Sequence, residues 1–267
     1  MHGRGSDAND ITSAFLPILQ MRYGGKARQV TESQDGDKDE AGEVTVLAIE
    51  AKDGSWYPQS HNATESALTE DNEPFQYSAL DKIRSTILFL HYEIGLPLDS
   101  IVFAGFSQGG LLADTYLLAG LDQLLDNKED EETVDDHFVP LPGYMLSLAG
   151  SVFKTPPRFP SRGHLNETHR EKLSSSSRSP YHGKTAPPQP SSIRARLICG
   201  TQDRFFTPDE IKEAARQIGE KAGRVREEGK GTDVVVSVAF DEGQGHVTTD
   251  RMIAAVIQSV DEILRRG

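Results

Sequence analysis

The chain is predicted to fold as an α/β protein, with a mostly parallel central sheet and helices on both faces. Three observations predict this. Strand and helix signals alternate along most of the 267 residues. The longer helical segments carry their apolar residues as a single stripe. The length suits one large domain with room for a sizeable core.

The elements follow in order. Ala8 to Gln20 reads as a helix. Glu43 to Ile49 holds the β-branched run Val44-Thr-Val-Leu-Ala-Ile49 and reads as a strand. Ser78 to Ile94 is a helix with Leu80, Ile83, Ile87, Leu90 and Ile94 on one face. Ser100 to Ala104 is a strand and Gln108 to Leu118 a helix. Tyr144 to Leu148 and Ile193 to Cys199 are strands. Thr207-Pro-Asp-Glu210 is a capping box with proline at the first helical position, so a helix opens there and runs to about Ala222. Asp233 to Phe240 is a strand. Thr249 to Arg265 closes the chain as a helix striped by Ile253, Val256, Ile257, Val260 and Leu264. In such sheets chemistry gathers where the strands end.

Three segments break this pattern. Residues 31–43 carry net charge −5, residues 122–136 carry −7, and residues 154–190 carry +5 with seven of the 14 prolines. Each lacks helix or strand periodicity and reads as a loop or disordered insert in a single domain. The third leaves from the end of a strand at the catalytic edge, where it is either a lid, a regulated Ser-rich segment or a tolerated solvated loop. The net charge of −13 argues against non-specific binding to nucleic acid. A single cysteine, Cys199, excludes an internal disulfide framework and a Cys-based zinc cluster. No apolar run approaches a membrane span, and the first residues do not resemble a secretory leader. The reducing cytoplasm is the expected compartment.

Gly105-Phe-Ser107-Gln-Gly109 is the strongest chemical signal. It follows a strand and opens a helix, the context in which Gly-x-Ser-x-Gly lifts a nucleophile above the sheet. Serine is a weak nucleophile without a base. Of eight histidines, His246 alone lies directly after a strand and before the last helix. The base needs an acid to hold its tautomer. Asp203, in Cys199-Gly-Thr-Gln-Asp203, follows a strand and is the first choice. Asp241 is the runner-up, and Asp209 reads as a first-turn helix residue. The chain order Ser107, Asp203, His246 is that of an α/β-hydrolase. Two backbone N–H groups should hold the oxyanion. The expected donors are Gln108, set by the turn, and Arg4, in the early loop His2-Gly-Arg-Gly5.

These motifs, with Trp56-Tyr-Pro58 and Gly245-His246, resemble the phospholipase/carboxylesterase family, which includes acyl-protein thioesterases, lysophospholipases and small carboxylesterases. The resemblance spans most of the chain outside the inserts. It implies a Ser–His–Asp hydrolase without metal or other cofactor, acting on a small acyl ester or thioester. Trp56 matches a position near the acyl pocket, and its other reading is an ordinary partly buried aromatic. In that family a strand precedes the oxyanion loop, but here Met1 stands where that strand would end. The expectation is therefore a longer natural chain that supplies the strand. If Met1 is the start, the expectation is poor solubility and an ill-formed oxyanion hole. A competing function is a catalytically impaired relative that binds acyl ligands or partners.

Overall fold

The computed structural model describes residues 1–3, 6–23, 27–30, 44–51, 55–56, 73–126, 138–151 and 180–266. In chain order these form α1 (Ala8–Tyr23), β1 (Ala27–Val30), β2 (Val44–Leu47), α2 (Glu73–Tyr92), β3 (Val102–Phe106), α3 (Gln108–Asp126), β4 (Tyr144–Leu148), β5 (Ser192–Gly200), α4 (Pro208–Glu227), β6 (Asp233–Asp241) and α5 (Asp250–Leu264). Strands β3, β4, β5 and β6 lie side by side in that order, all parallel. β1 and β2 form a separate parallel pair. Parallel neighbours need a crossover between them; α3 supplies it from β3 to β4 and α4 from β5 to β6.

Local chemistry sets several boundaries. Asp7 and Asp10 each accept from the other's backbone N–H at the start of α1. Thr207 and Glu210 do the same at α4, so the expected capping box is present. Thr249 caps α5 by accepting from the Met252 amide.

Alternation along the strands divides the core between two faces. Phe103, Met145, Ile193, Ala195 and Leu197 pack with Leu80, Ile83 and Ile87 of α2, Leu111 and Leu112 of α3, and Ile211 and Ile218 of α4. Leu146, Leu148 and Ile198 face the other way, onto Phe15 and Leu19 of α1 and Met252 and Val256 of α5. Arg194 and Arg196 of β5 pair with Glu262, tying α5 across the strand.

Three findings adjust the sequence reading. The helix after the Gly-x-Ser-x-Gly turn does not stop near Leu118. It runs to Asp126 and so takes in residues 122–126 of the second insert. Leu121 is buried, Leu124 and Leu125 pack on the core, and Asp122 pairs with Lys221 of α4. Apolar spacing prevailed over local negative charge. Secondly, the end of the third insert is packed on the body. Tyr181 stacks on Tyr92 at 5.3 Å, and Gln189 bonds the backbone of Val139 and Leu141. Insert residues 31–43, 127–136 and 154–179 lie outside the described residues.

Thirdly, Met1 lies against the outer edge of β3. Its amine donates to the Ala104 carbonyl at 2.7 Å, and its carbonyl accepts from the Phe106 amide at 3.1 Å. Next to it, the His2 ring accepts from the Ala51 amide beyond β2. Residues 1–3 thus bridge the four-stranded sheet and the segment that follows β2. Among the described residues no helix is long and apolar enough to cross a membrane.

Candidate active site

β3 ends at Phe106 and α3 begins at Gln108, which leaves Ser107 alone to make the turn. Its φ is +57°, a left-handed backbone that a side-chain-bearing residue adopts only under constraint. The constraint is visible. The Ser107 amide donates to Leu148 O of β4 at 2.9 Å, and the Ser107 carbonyl accepts the first helical bond, from Leu111, at 3.0 Å. The turn is also too tight for a side chain at residue 105. A Cβ there would stand 2.1 Å from the Gly109 carbonyl oxygen.

Ser107 Oγ lies 2.8 Å from His246 Nε2, and His246 Nδ1 lies 2.8 Å from Asp203 Oδ2. The three side chains come from the ends of β3, β5 and β6 and meet across separations of 139 and 43 residues. Nδ1 donates to the carboxylate, which leaves the Nε2 lone pair facing the serine hydroxyl.

The other oxygen of Asp203 accepts from the amides of Phe205 and Phe206, at 2.9 and 3.0 Å. Burial alone would raise the pKa of this carboxyl. The His246 bond and the two amides outweigh burial and hold it below the usual carboxylate range. Asp241 is engaged elsewhere. It accepts from the Thr249 hydroxyl and pairs with Arg251 at 2.7 Å, closing the loop that carries His246. Of the two candidate acids, only Asp203 reaches the ring.

Aromatic rings enclose the histidine. Phe205, Phe106 and Phe206 lie 4.9, 5.1 and 5.8 Å from His246, centroid to centroid. Phe206 is buried, whereas Phe205 is 46% exposed and forms part of the rim.

Gln108 opens α3, so its N–H belongs to the first turn, where the helix provides no acceptor. Arg4 lies outside the described residues, but Gly3 sits beside the serine. Trp56 is 5% exposed, and its indole N–H donates to the His2 carbonyl at 3.0 Å. It is packed in the core rather than presented as an open wall. The Gln108 side chain accepts from the Trp56 amide and the Ser55 hydroxyl, fastening this loop to the head of α3.

Sequence reasoning passed over the His2 ring, the Gln108 side chain and the phenylalanines around His246. For Phe205 and Phe206 a signal existed: they follow Asp203 by two and three residues, the spacing at which an Asp side chain accepts backbone N–H groups. A groove of about 560 Å³ between β5, β6 and α5, lined by Arg196, Val235, Val238 and Ala255, contains none of Ser107, Asp203 and His246.

No protein-family model and no curated protein matches the chain. Solved structures do. A phospholipase/carboxylesterase from Dyadobacter fermentans aligns over 98% of this chain and 87% of its own, with TM-score 0.54 and 20% identity. TT1662 from Thermus thermophilus aligns over 99% and 87%, with TM-score 0.53 and 15% identity. SOBER1 from Arabidopsis thaliana aligns over 98% and 96%, with TM-score 0.50 and 13% identity. The chain has the α/β-hydrolase fold. Ser107, Asp203 and His246 follow the carboxyl ends of β3, β5 and β6, in the chain order serine, acid, histidine that is usual for this fold.

Proposed function

We propose that the protein is a serine hydrolase that cleaves carboxylic esters or thioesters through an acyl-enzyme. One observation carries this reading: Ser107, His246 and Asp203 form a hydrogen-bonded line at a strained strand-to-helix turn. Ser107 Oγ attacks the acyl carbonyl carbon while His246 Nε2 takes its proton. Asp203 holds the ring and stabilises the imidazolium that forms. The amides of Gln108 and Arg4 are assigned to the oxyanion, and the N-terminal end of α3 favours negative charge there. His246 then protonates the leaving alcohol or thiol. In the second half it takes a proton from water, whose oxygen attacks the acyl-serine and releases the acid. The names of the neighbouring structures, a phospholipase/carboxylesterase among them, agree with this chemistry.

A reporter-bearing alkyl fluorophosphonate tests the reading. It should label the wild type at Ser107, and Ser107→Ala should lose both labelling and p-nitrophenyl ester turnover. Full turnover by Ser107→Ala would overturn the assignment. A second reading, an acyl-binding relative with impaired catalysis, draws on the division of the strands into two sheets. A wild type that binds fatty acyl ligands yet resists labelling would favour it. Turnover of short esters, lysophospholipid and palmitoyl thioester, compared side by side, would define the substrate class.

A further inference from the structure

We propose that the open edge of β6 is an interface, and that it pairs antiparallel with β6 of a second copy of this chain. The inference is independent of the hydrolase reading. It starts from the sheet order, in which β6 lies at one end with β5 as its only neighbour among the described residues. The ladder to β5 runs one to one from Asp233 to Asp241, so no bulge interrupts it. The Asp233 amide donates to Ser191 O at 2.9 Å, and the Asp241 carbonyl accepts from the Thr201 amide at 3.0 Å. In a parallel pair, alternate residues turn both backbone groups to the same neighbour. Residues 233, 235, 237, 239 and 241 therefore face β5. Residues 234, 236, 238 and 240 turn their N–H and C=O groups outward.

This edge carries none of the devices that keep an edge strand single. Val234-Val-Val-Ser-Val-Ala-Phe240 has no charge and no proline. Val235 is 50% exposed and Val238 36%. A row of outward donors and acceptors beside exposed valines is a template for another strand.

Two observations identify that strand as β6 itself. The first is register. Across a two-fold axis at Ser237, the midpoint of β6, residue 234 meets 240 and residue 236 meets 238, and all nine residues are paired. Both members of each such pair turn outward, as the hydrogen-bonded pairs of an antiparallel ladder require. The second is charge. The groove along this edge is lined by Asp233 from the start of β6 and by Arg251, which is held at its end. Arg251 Nε bonds Asp241 at 2.7 Å, and the arginine side chain is half exposed. In the same register Asp233 stands opposite Asp241 of the second copy, and so beside the Arg251 bound to it. Two carboxylates facing each other would repel, but the shared guanidinium makes the contact attractive. The contact forms twice, once at each end of the paired strands. The two copies then build one eight-stranded sheet, with their catalytic edges at opposite ends.

Size-exclusion chromatography with light scattering measures the mass of the full chain at about 100 µM, where a Kd near 10 µM leaves most chains paired. The expected mass is twice 29.3 kDa. A monomer overturns the proposal. Val238→Pro removes one outward N–H and leaves the ladder to β5 whole, and Val235→Lys sets a charge on the exposed edge. Each should raise the dimer Kd about tenfold or more, with near-ultraviolet circular dichroism to establish folding. A folded variant of either kind that associates like the wild type overturns the proposal. Ser237→Cys reads the register. Ser237 meets its own copy in a non-hydrogen-bonded pair with Cα atoms about 4.5 Å apart, within disulfide reach, whereas the two copies of Val235 stand about 13 Å apart. The native Cys199 is buried. Mild oxidation should join Ser237→Cys into a covalent dimer and leave Val235→Cys unjoined. Cross-linking that is absent at 237, or equal at the two positions, overturns the proposal even where the wild type is a dimer, and it decides the matter if neither edge variant folds. None of these measurements reads turnover, so their failure leaves the hydrolase reading standing.

Discussion

Asp203 and His246 meet at 2.8 Å through Oδ2 and Nδ1, while the second oxygen of Asp203 is committed to two backbone amides. The carboxylate is thus fixed on both sides before any substrate arrives. Asp203→Asn should keep the loop but present the wrong partner to Nδ1, lowering kcat about 10³- to 10⁴-fold. Asp241→Asn should cost less than tenfold, because Asp241 bonds Thr249 and Arg251 rather than the ring. Turnover of p-nitrophenyl acetate measures both, and an equal penalty at the two positions would show the acid assigned wrongly.

Gly105 tests the turn. The carbonyl oxygen of Gly109 stands 2.1 Å from where a Cβ would go, and it is backbone that cannot swing aside. Gly105→Ala should destabilise the fold by at least about 1–3 kcal/mol, with the melting temperature falling by several degrees. Calorimetry that finds wild-type stability would contradict the turn geometry.

Asp114 makes a pH prediction. It is buried in α3, and its carboxyl accepts from the Ser147 hydroxyl at 2.6 Å. Burial raises its pKa well above 3.8, and the Ser147 bond offsets only part of that. The folded state therefore keeps this proton to a higher pH than the unfolded chain does. Between the two pKa values the unfolded state binds fewer protons, so stability falls as pH rises above about 4 and levels off past the folded pKa. Asp114→Asn removes this slope. Its advantage in melting temperature over the wild type should grow from pH 4 towards pH 8, and a difference independent of pH would refute the mechanism.

Phe205 is the exposed member of the rings around His246. Phe205→Ala should raise KM for esters with long apolar chains by about threefold to tenfold, while kcat for an acetate ester changes little. The estimate corresponds to part of one buried aromatic side chain. Equal effects on short and long esters would deny Phe205 a role in chain binding.

Much of the fold is legible in the sequence because it is written in short-range signals. Tyr144–Leu148 forms a strand over the residues predicted, and the Thr207–Glu210 capping box starts α4 as its spacing requires. The turn at Ser107 was legible because its glycines meet a steric demand that lies within five residues. β1 was not. Ala27-Arg-Gln-Val30 is short and half polar, and its partner β2 lies more than a dozen residues away. The end of α3 was misplaced because the acids of residues 122–126 obscured Leu124 and Leu125, which pack on the core.

The sequence by itself determined the order of the strands and helices other than β1, the sharp turn at Ser107, and the three residues Ser107, Asp203 and His246 as candidates. Those are properties of neighbours along the chain. Only the tertiary structure decided that Asp203 rather than Asp241 faces His246, that Trp56 is enclosed, and that the His2 ring joins Ala51 to Gly3. Each depends on a hydrogen bond or contact a few ångströms long, in most cases between residues dozens of positions apart. Spacing along a chain cannot supply such distances; the packing of one strand end against the next does.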